Sequence, residues 1–290
     1  MRPFPLTGPL VASAVVFLSG SLLLPVVPAA LSAQHTSPQV ASPWSTGAPN
    51  RGVTPVPFGP GELKEYEVRL GRLRVGEGSM QVGDLEFVRG RRTYPLTMTV
   101  QGGLPLARVD DRMDSWLDVQ TLTSHRFIQD LNQIRSSRYR AYEFYPEEGR
   151  YTRQDREGDQ ELASDQPLDD VSFLYFVRTL PLEPGDVYTL DRYFRESGNP
   201  VVVQVDRRDR VTVPAGTFNT VVVRPIIRTS GLFGEGGEAE IHFTDDDRRI
   251  MVMMTSRVPL IGSLSLHLRE YTPGDPLRPF RSGNRAAQTR

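Results

Sequence analysis

Ser263-Leu264-Ser265-Leu266-His267-Leu268-Arg269 alternates apolar and polar side chains without a break. Successive side chains of a strand point to opposite faces, so this stretch lays three leucines on one face and polar groups on the other. Ile241 and Phe243 alternate with Glu240, His242 and Thr244 in the same way. Val109, Met113, Leu117 and Val119 share one face, while Arg108, Asp110, Arg112 and Asp114 fill the other with alternating charge suited to cross-strand pairing. Further strands are expected at 65–70, 94–100, 124–131, 138–145, 187–194, 201–205, 211–213, 220–227 and 250–256. Turn residues separate them: Gly102-Gly103, Glu148-Gly149, Glu157-Gly158, Ser197-Gly198-Asn199 and Gly236-Gly237. The chain therefore reads as mainly β, an antiparallel meander forming a curved sheet, a partly open barrel or a sandwich.

One segment departs from period two. Asp169-Asp170-Val171-Ser172-Phe173-Leu174-Tyr175-Phe176-Val177-Arg178 is too uniformly apolar for a half-wet strand. Acidic residues at its start and Arg178 near its end suit a helix dipole, and Pro181 and Pro184-Gly185 stop it. A helix apolar nearly all round is buried, so one helix near 169–179 is expected to plug or cross the concave face of the sheet.

The flanking regions read differently. Residues 1–33 carry Arg2, an uncharged run of about fifteen residues from Leu10 to Leu24, and then Pro25 and Pro28 before Ala29, Ala30, Ser32 and Ala33. That run is shorter than the roughly 20 residues of a spanning helix, so it reads as an export signal with no stable membrane span after its removal. Residues 34–60 are rich in Ser, Thr, Pro and Gly and read as a disordered linker. The folded unit is expected at 61–272, followed by a disordered tail at 273–290. The chain has no Cys, which excludes disulfides, thiolate metal sites and a Cys nucleophile. A net charge of −1 offers no field to draw nucleic acid. All but one of its 34 cationic side chains are Arg, with Lys64 the single lysine.

No catalytic constellation emerges. The histidines outside the linker are His125, His242 and His267, with no H-E-x-x-H, and neither a G-x-S-x-G elbow nor a Walker A pattern occurs. His242 and His267 read as exposed histidines that could meet across the sheet. Ser124 and His125 are neighbours on a strand and so point apart. Asp110-Asp111, Asp169-Asp170 and Asp245-Asp246-Asp247 keep a carboxylate-pair hydrolase open. Capping accounts for Asp169-Asp170, and a tight turn closed by Arg248 and Arg249 accounts for the triplet. Val213-Pro214-Ala215-Gly216-Thr217-Phe218 reads as a hairpin corner, and Gly231 to Gly237 as a hairpin tip or lid. Asp191 and Arg192 read as an ion pair at the core edge, with Arg192 also open to a ligand. Apolar runs such as Met251-Val252-Met253-Met254 exceed what one core face needs. They fit either a plain core or a cavity, whose lining would draw on Phe173, Phe176, Met251, Met253 and Arg192. No metal and no cofactor is implied.

Several of these stretches together resemble a family of bacterial exported proteins known as domain of unknown function 3108. The likeness is carried by Pro167-Leu168-Asp169-Asp170-Val171-Ser172-Phe173-Leu174-Tyr175, by Leu190-Asp191-Arg192-Tyr193-Phe194 and by Val211-Thr212-Val213-Pro214-Ala215-Gly216-Thr217-Phe218. Gly231-Leu232-Phe233, Gly236-Gly237 and Asp245-Asp246-Asp247-Arg248-Arg249-Ile250 extend it, with a looser match at Gly61-Glu62, Tyr66 and Gly71 to Gly76. The resemblance implies a periplasmic or envelope-associated β-rich protein and supplies no activity or catalytic residue. The combined expectation is an exported, non-enzymatic protein that binds an apolar or lipid-like small molecule or an envelope protein. A glycan hydrolase and a structural envelope module are the alternatives.

Overall fold

The computed structural model describes residues 53–104, 107–133, 136–194, 201–227, 239–258 and 262–281. The export signal and the Gly231 to Gly237 tip lie outside them. The strands are β1 (Leu63–Leu70), β2 (Leu73–Val82), β3 (Glu86–Val88), β4 (Arg91–Leu104), β5 (Ala107–Asp118), β6 (Ser124–Gln133), β7 (Ser136–Tyr145), β8 (Arg150–Arg153) and β9 (Gln160–Glu161). After these come helix α1 (Asp170–Val177) and strands β10 (Val187–Leu190), β11 (Val201–Val213), β12 (Gly216–Ile227), β13 (Ala239–Thr244), β14 (Met251–Val258) and β15 (Gly262–Thr272).

All strands join one antiparallel sheet in the order β10-β11-β12-β13-β14-β15-β1-β2-β4-β5-β6-β7-β8-β9, with β3 paired to β4, and the sheet does not close into a barrel. The leucine ladder of β15 pairs with β1, so Leu266 and Leu268 stand opposite Val68 and Tyr66 on the buried face. Between β2 and β4, Gly76 faces Gly102. A Cβ on Gly76 would lie 2.2 Å from the Gln101 carbonyl oxygen, so only glycine lets the strands approach this closely. Pro95 of β4 sits just beyond the last residue paired to β2, where its missing N–H breaks no ladder bond.

Helix α1 forms where expected. Asp169 is its N-cap, accepting from the backbone N–H groups of Val171 and Ser172 at 2.9 Å, and Ser172 Oγ accepts from the Asp169 N–H at 2.8 Å. This reciprocal cap satisfies the donors that a helix start leaves open. All eight helical residues are buried, and the helix packs on β4 and β5. Among the described residues no helix is long and apolar enough to cross a membrane.

Two boundaries differ from the sequence reading. Residues 53–60, read as part of the linker, are packed: Val56 and Phe58 belong to the core, and the Thr54 N–H donates to the Val119 carbonyl at 2.9 Å. The start of the tail returns to meet them, the Asp275 N–H donating to the Pro60 carbonyl at 2.9 Å. The two strands expected at 201–205 and 211–213 are one, β11, carried through a register shift between Val205 and Arg207.

Candidate functional site

Beneath the packed segment lies a fully buried charge cluster. Arg178, just past the end of α1, grips Glu62 with both guanidinium arms, Nη1 to Oε1 at 2.7 Å and Nη2 to Oε2 at 2.9 Å. Its Nη2 also reaches the carbonyls of Pro57 and Arg248, at 3.1 and 3.0 Å. Lys64 bonds Glu62 as well and lies 4.3 Å from the centre of the Tyr175 ring. Phe58 packs edge-on against Tyr175 and Tyr94, with ring centroids 4.9 and 5.4 Å away. Burial alone would raise the Glu62 carboxyl, but the charges of Arg178 and Lys64 hold it down at about 2. Burial drives Lys64 the other way, to about 7, with Glu62 opposing and Arg178 assisting. One carboxylate facing two cations balances only when one cation sheds its proton. Lysine does this readily and arginine does not, and the chain's single lysine stands here.

A second polar group surrounds the other end of α1. Ser115 Oγ donates to Asp169 at 2.6 Å, Ser124 Oγ and Ser172 Oγ lie 2.7 Å apart, and Gln129 donates to Asp170 at 3.2 Å. Tyr193 Oη also donates to Asp170. Burial pushes Asp169 up to about 6, against the hydrogen bonds from Ser115, Ser172 and Ser124. His125 points away from Ser124 toward Asp118, 3.5 Å distant. The group is thus a network of caps and braces, each carboxylate engaged by donors from neighbouring elements.

The ladder registers map the face of the sheet that α1 covers, called the concave face below. One row across the sheet reads Lys64, Met80, Met98, Met113, Gln129, Arg140. The row beside it reads Tyr66, Gly78, Val100, Asp111, Leu131, Arg138. On the other side, Val82, Leu96, Ser115, Phe127 and Tyr142 lead to Arg153. Each row crosses from apolar centre to an arginine on β7 or β8. Arg138 and Arg140 are half-buried, and Arg153 is buried. Next to them Phe194 meets Tyr142, Phe144 and Tyr151 edge-on at 5.3, 4.7 and 5.1 Å, setting a residue just past β10 against the far side of the open sheet.

The residues singled out from sequence do not converge. Phe173 and Phe176 are buried in α1. Met251 is buried in β14, its carbonyl accepting from Tyr66 Oη at 3.0 Å. Met253 stands in register with His242 and His267, between them and on the face opposite Met254 and Leu266. Those two histidines therefore flank a methionine, and His242 is buried rather than exposed. Arg192 makes no ion pair with Asp191: it donates to the carbonyls of Gln166 and Leu122, at 2.9 and 2.6 Å, and lies over the Phe176 ring. Burial lowers its guanidinium to about 10, still cationic at neutral pH. Asp246 closes the turn expected at 245–249, accepting from the Arg248 N–H at 3.1 Å and from Thr244 Oγ1 at 2.7 Å. Met80, Met98 and Met113 form one row of the concave face, and Met254 lies on the same face through Leu266 and Val68, a set that only the strand register brings together.

These features define an open antiparallel-sheet protein with one buried helix, a compensated charge cluster at one end of its concave face and arginines at the other. A family model described as protein of unknown function (DUF3108) matches residues 65–269, and the chain belongs to that family. No curated protein and no solved structure matches it.

Proposed function

We propose that this chain is an exported, non-enzymatic binding protein of the bacterial periplasm or cell envelope, whose concave face takes an apolar or lipid-like ligand. The observation that carries this reading is the composition of that face. Three adaptable methionines lie in one row and lead into half-buried arginines at the end of an open sheet. The carboxylates that a hydrolase would need are engaged otherwise: Asp169 caps α1, Asp170 accepts from Tyr193 and Gln129, and Asp246 closes a turn. Export is supported by the basic, apolar and small-residue order of residues 1–33.

The test is native mass spectrometry on the mature protein purified from its own compartment, followed by organic extraction. A reproducible co-purifying lipid or apolar metabolite is expected. A clean apoprotein mass, together with a cross-linked envelope protein, would move the role from a ligand to a partner.

A further inference from the structure

We propose that His242, Met253 and His267 form a binding site for monovalent copper on the outer face of the sheet, opposite α1. The site lies on the other side of the sheet from the concave face, so it stands or falls independently of the ligand proposed there.

The three residues come from β13, β14 and β15 and stand in direct register, His242 beside Met253 and Met253 beside His267. Paired side chains on adjacent antiparallel strands share a face, with Cβ atoms about 5 Å apart, so the thioether lies between the two imidazoles. The register shift between His242 and Phe243 falls at this row, and such bulges re-aim side chains beside functional sites. Met253 and His267 are half-buried, which leaves an ion a way in from solvent, while His242 forms the buried end of the row.

Each imidazole has one nitrogen braced by a hydroxyl and the other without a hydrogen bond. His267 Nε2 lies 2.9 Å from Ser265 Oγ, while its Nδ1 is buried and unpartnered. His242 Nδ1 lies 3.4 Å from Thr220 Oγ1, while its Nε2 has only Glu240 Oε2 nearby, at 3.9 Å. A ring N–H donated to a hydroxyl fixes the tautomer and leaves the opposite nitrogen with its lone pair free, as in metal-bound histidines. Burial lowers both imidazoles below their ordinary value, so both are neutral and able to ligate at neutral pH.

The donor set selects the metal. Glu67 continues the row beyond His267, and Glu240 lies beside His242, but arginines hold both carboxylates. Arg69 reaches Glu67 at 2.7 Å, and Arg224 and Arg207 reach Glu240 at 3.1 and 3.2 Å. Two neutral nitrogens and one sulfur remain. Among the described residues no three His, Cys, Asp or Glu side chains are placed to hold a metal ion, so the Met253 sulfur is what makes the row a site. Thioether sulfur with imidazole suits Cu(I), whereas Zn(II) takes thiolate, imidazole and carboxylate, and Ca(II) and Mg(II) take oxygen.

The experiment is anaerobic titration of the mature protein with Cu(I), kept reduced by ascorbate, in competition with a chromophoric Cu(I) chelator. One equivalent is expected to bind, and X-ray absorption at the copper edge should show sulfur beside nitrogen. Met253→Leu keeps the side-chain volume and should lose the sulfur signal and about a hundredfold in affinity. Ser265→Ala, which frees the braced nitrogen of His267, should lose about tenfold. His125→Gln, on β6 and facing Asp118, should bind as wild type. Thermal melts establish that each variant is folded. Failure to retain Cu(I), a Met253→Leu protein that binds it as tightly as wild type, or a Zn(II) affinity equal to that for Cu(I) would each overturn the site.

Discussion

The two ends of one concave-face row treat cationic charge in opposite ways. At the Lys64 end, Arg178 and Lys64 close on a single carboxylate, the carbonyls of Pro57 and Arg248 accept from Arg178 Nη2, and aromatic rings pack over the cluster. At the Arg140 end, guanidinium groups stand beside one another, half-buried on a sheet that does not close. A buried charge set contributes to a fold only when it is internally compensated, because breaking it leaves an isolated ion in a medium that solvates it poorly. The first end anchors the fold, whereas at the second Arg153 pairs with Asp155 and Arg138 and Arg140 lie half-buried at the sheet margin.

The most severe way to break this contrast is Arg178→Ala. It strips Glu62 of its bidentate partner and leaves two backbone carbonyls without donors, so a loss of about 3–5 kcal/mol is expected in chemical denaturation. Wild-type-like stability would mean that the cluster is incidental.

Acid sharpens the same point. Glu62 has a folded value near 2, below its ordinary 4.5, so its contribution is fully present above pH 4.5 and fades as the pH falls toward 2. Lys64 has the opposite consequence. Its folded value near 7 lies below its ordinary 10.5, so the folded state releases the proton first and stability should rise as the pH climbs from 7 toward 10.5. Denaturation midpoints measured across that alkaline window should increase for wild type and stay level for Lys64→Met. A wild type that is flat from pH 7 to 10 would contradict the buried, compensated cluster.

The sheet was legible because period two is an unambiguous signal where one face is wet. The ladders of β15, β13 and β5, the corner at Pro214-Ala215, and the Asp169 cap of α1 all stand as read. The segment at 53–60 was hidden by its composition: Val56 and Phe58 sit among Pro and Gly, and their burial depends on the start of β1 and on Asp275, far along the chain. β11 was split because Asp206, Arg207, Arg208 and Asp209 interrupt the apolar alternation at the register shift, where their side chains pair on the surface. The methionine row and the arginine margin were illegible for a different reason. Their members come from five strands, and a one-residue change of register in any pair would send them to the other face.

The contrast between the two ends is tested most directly by unfolding wild type, Arg178→Ala and Arg140→Gln side by side in urea. Arg140→Gln should lie within about 1 kcal/mol of wild type, since Arg140 is half-buried at the sheet margin. Arg178→Ala should lose about 3–5 kcal/mol, because it strips the buried Glu62 of its bidentate partner. Equal losses in the two variants would contradict the account.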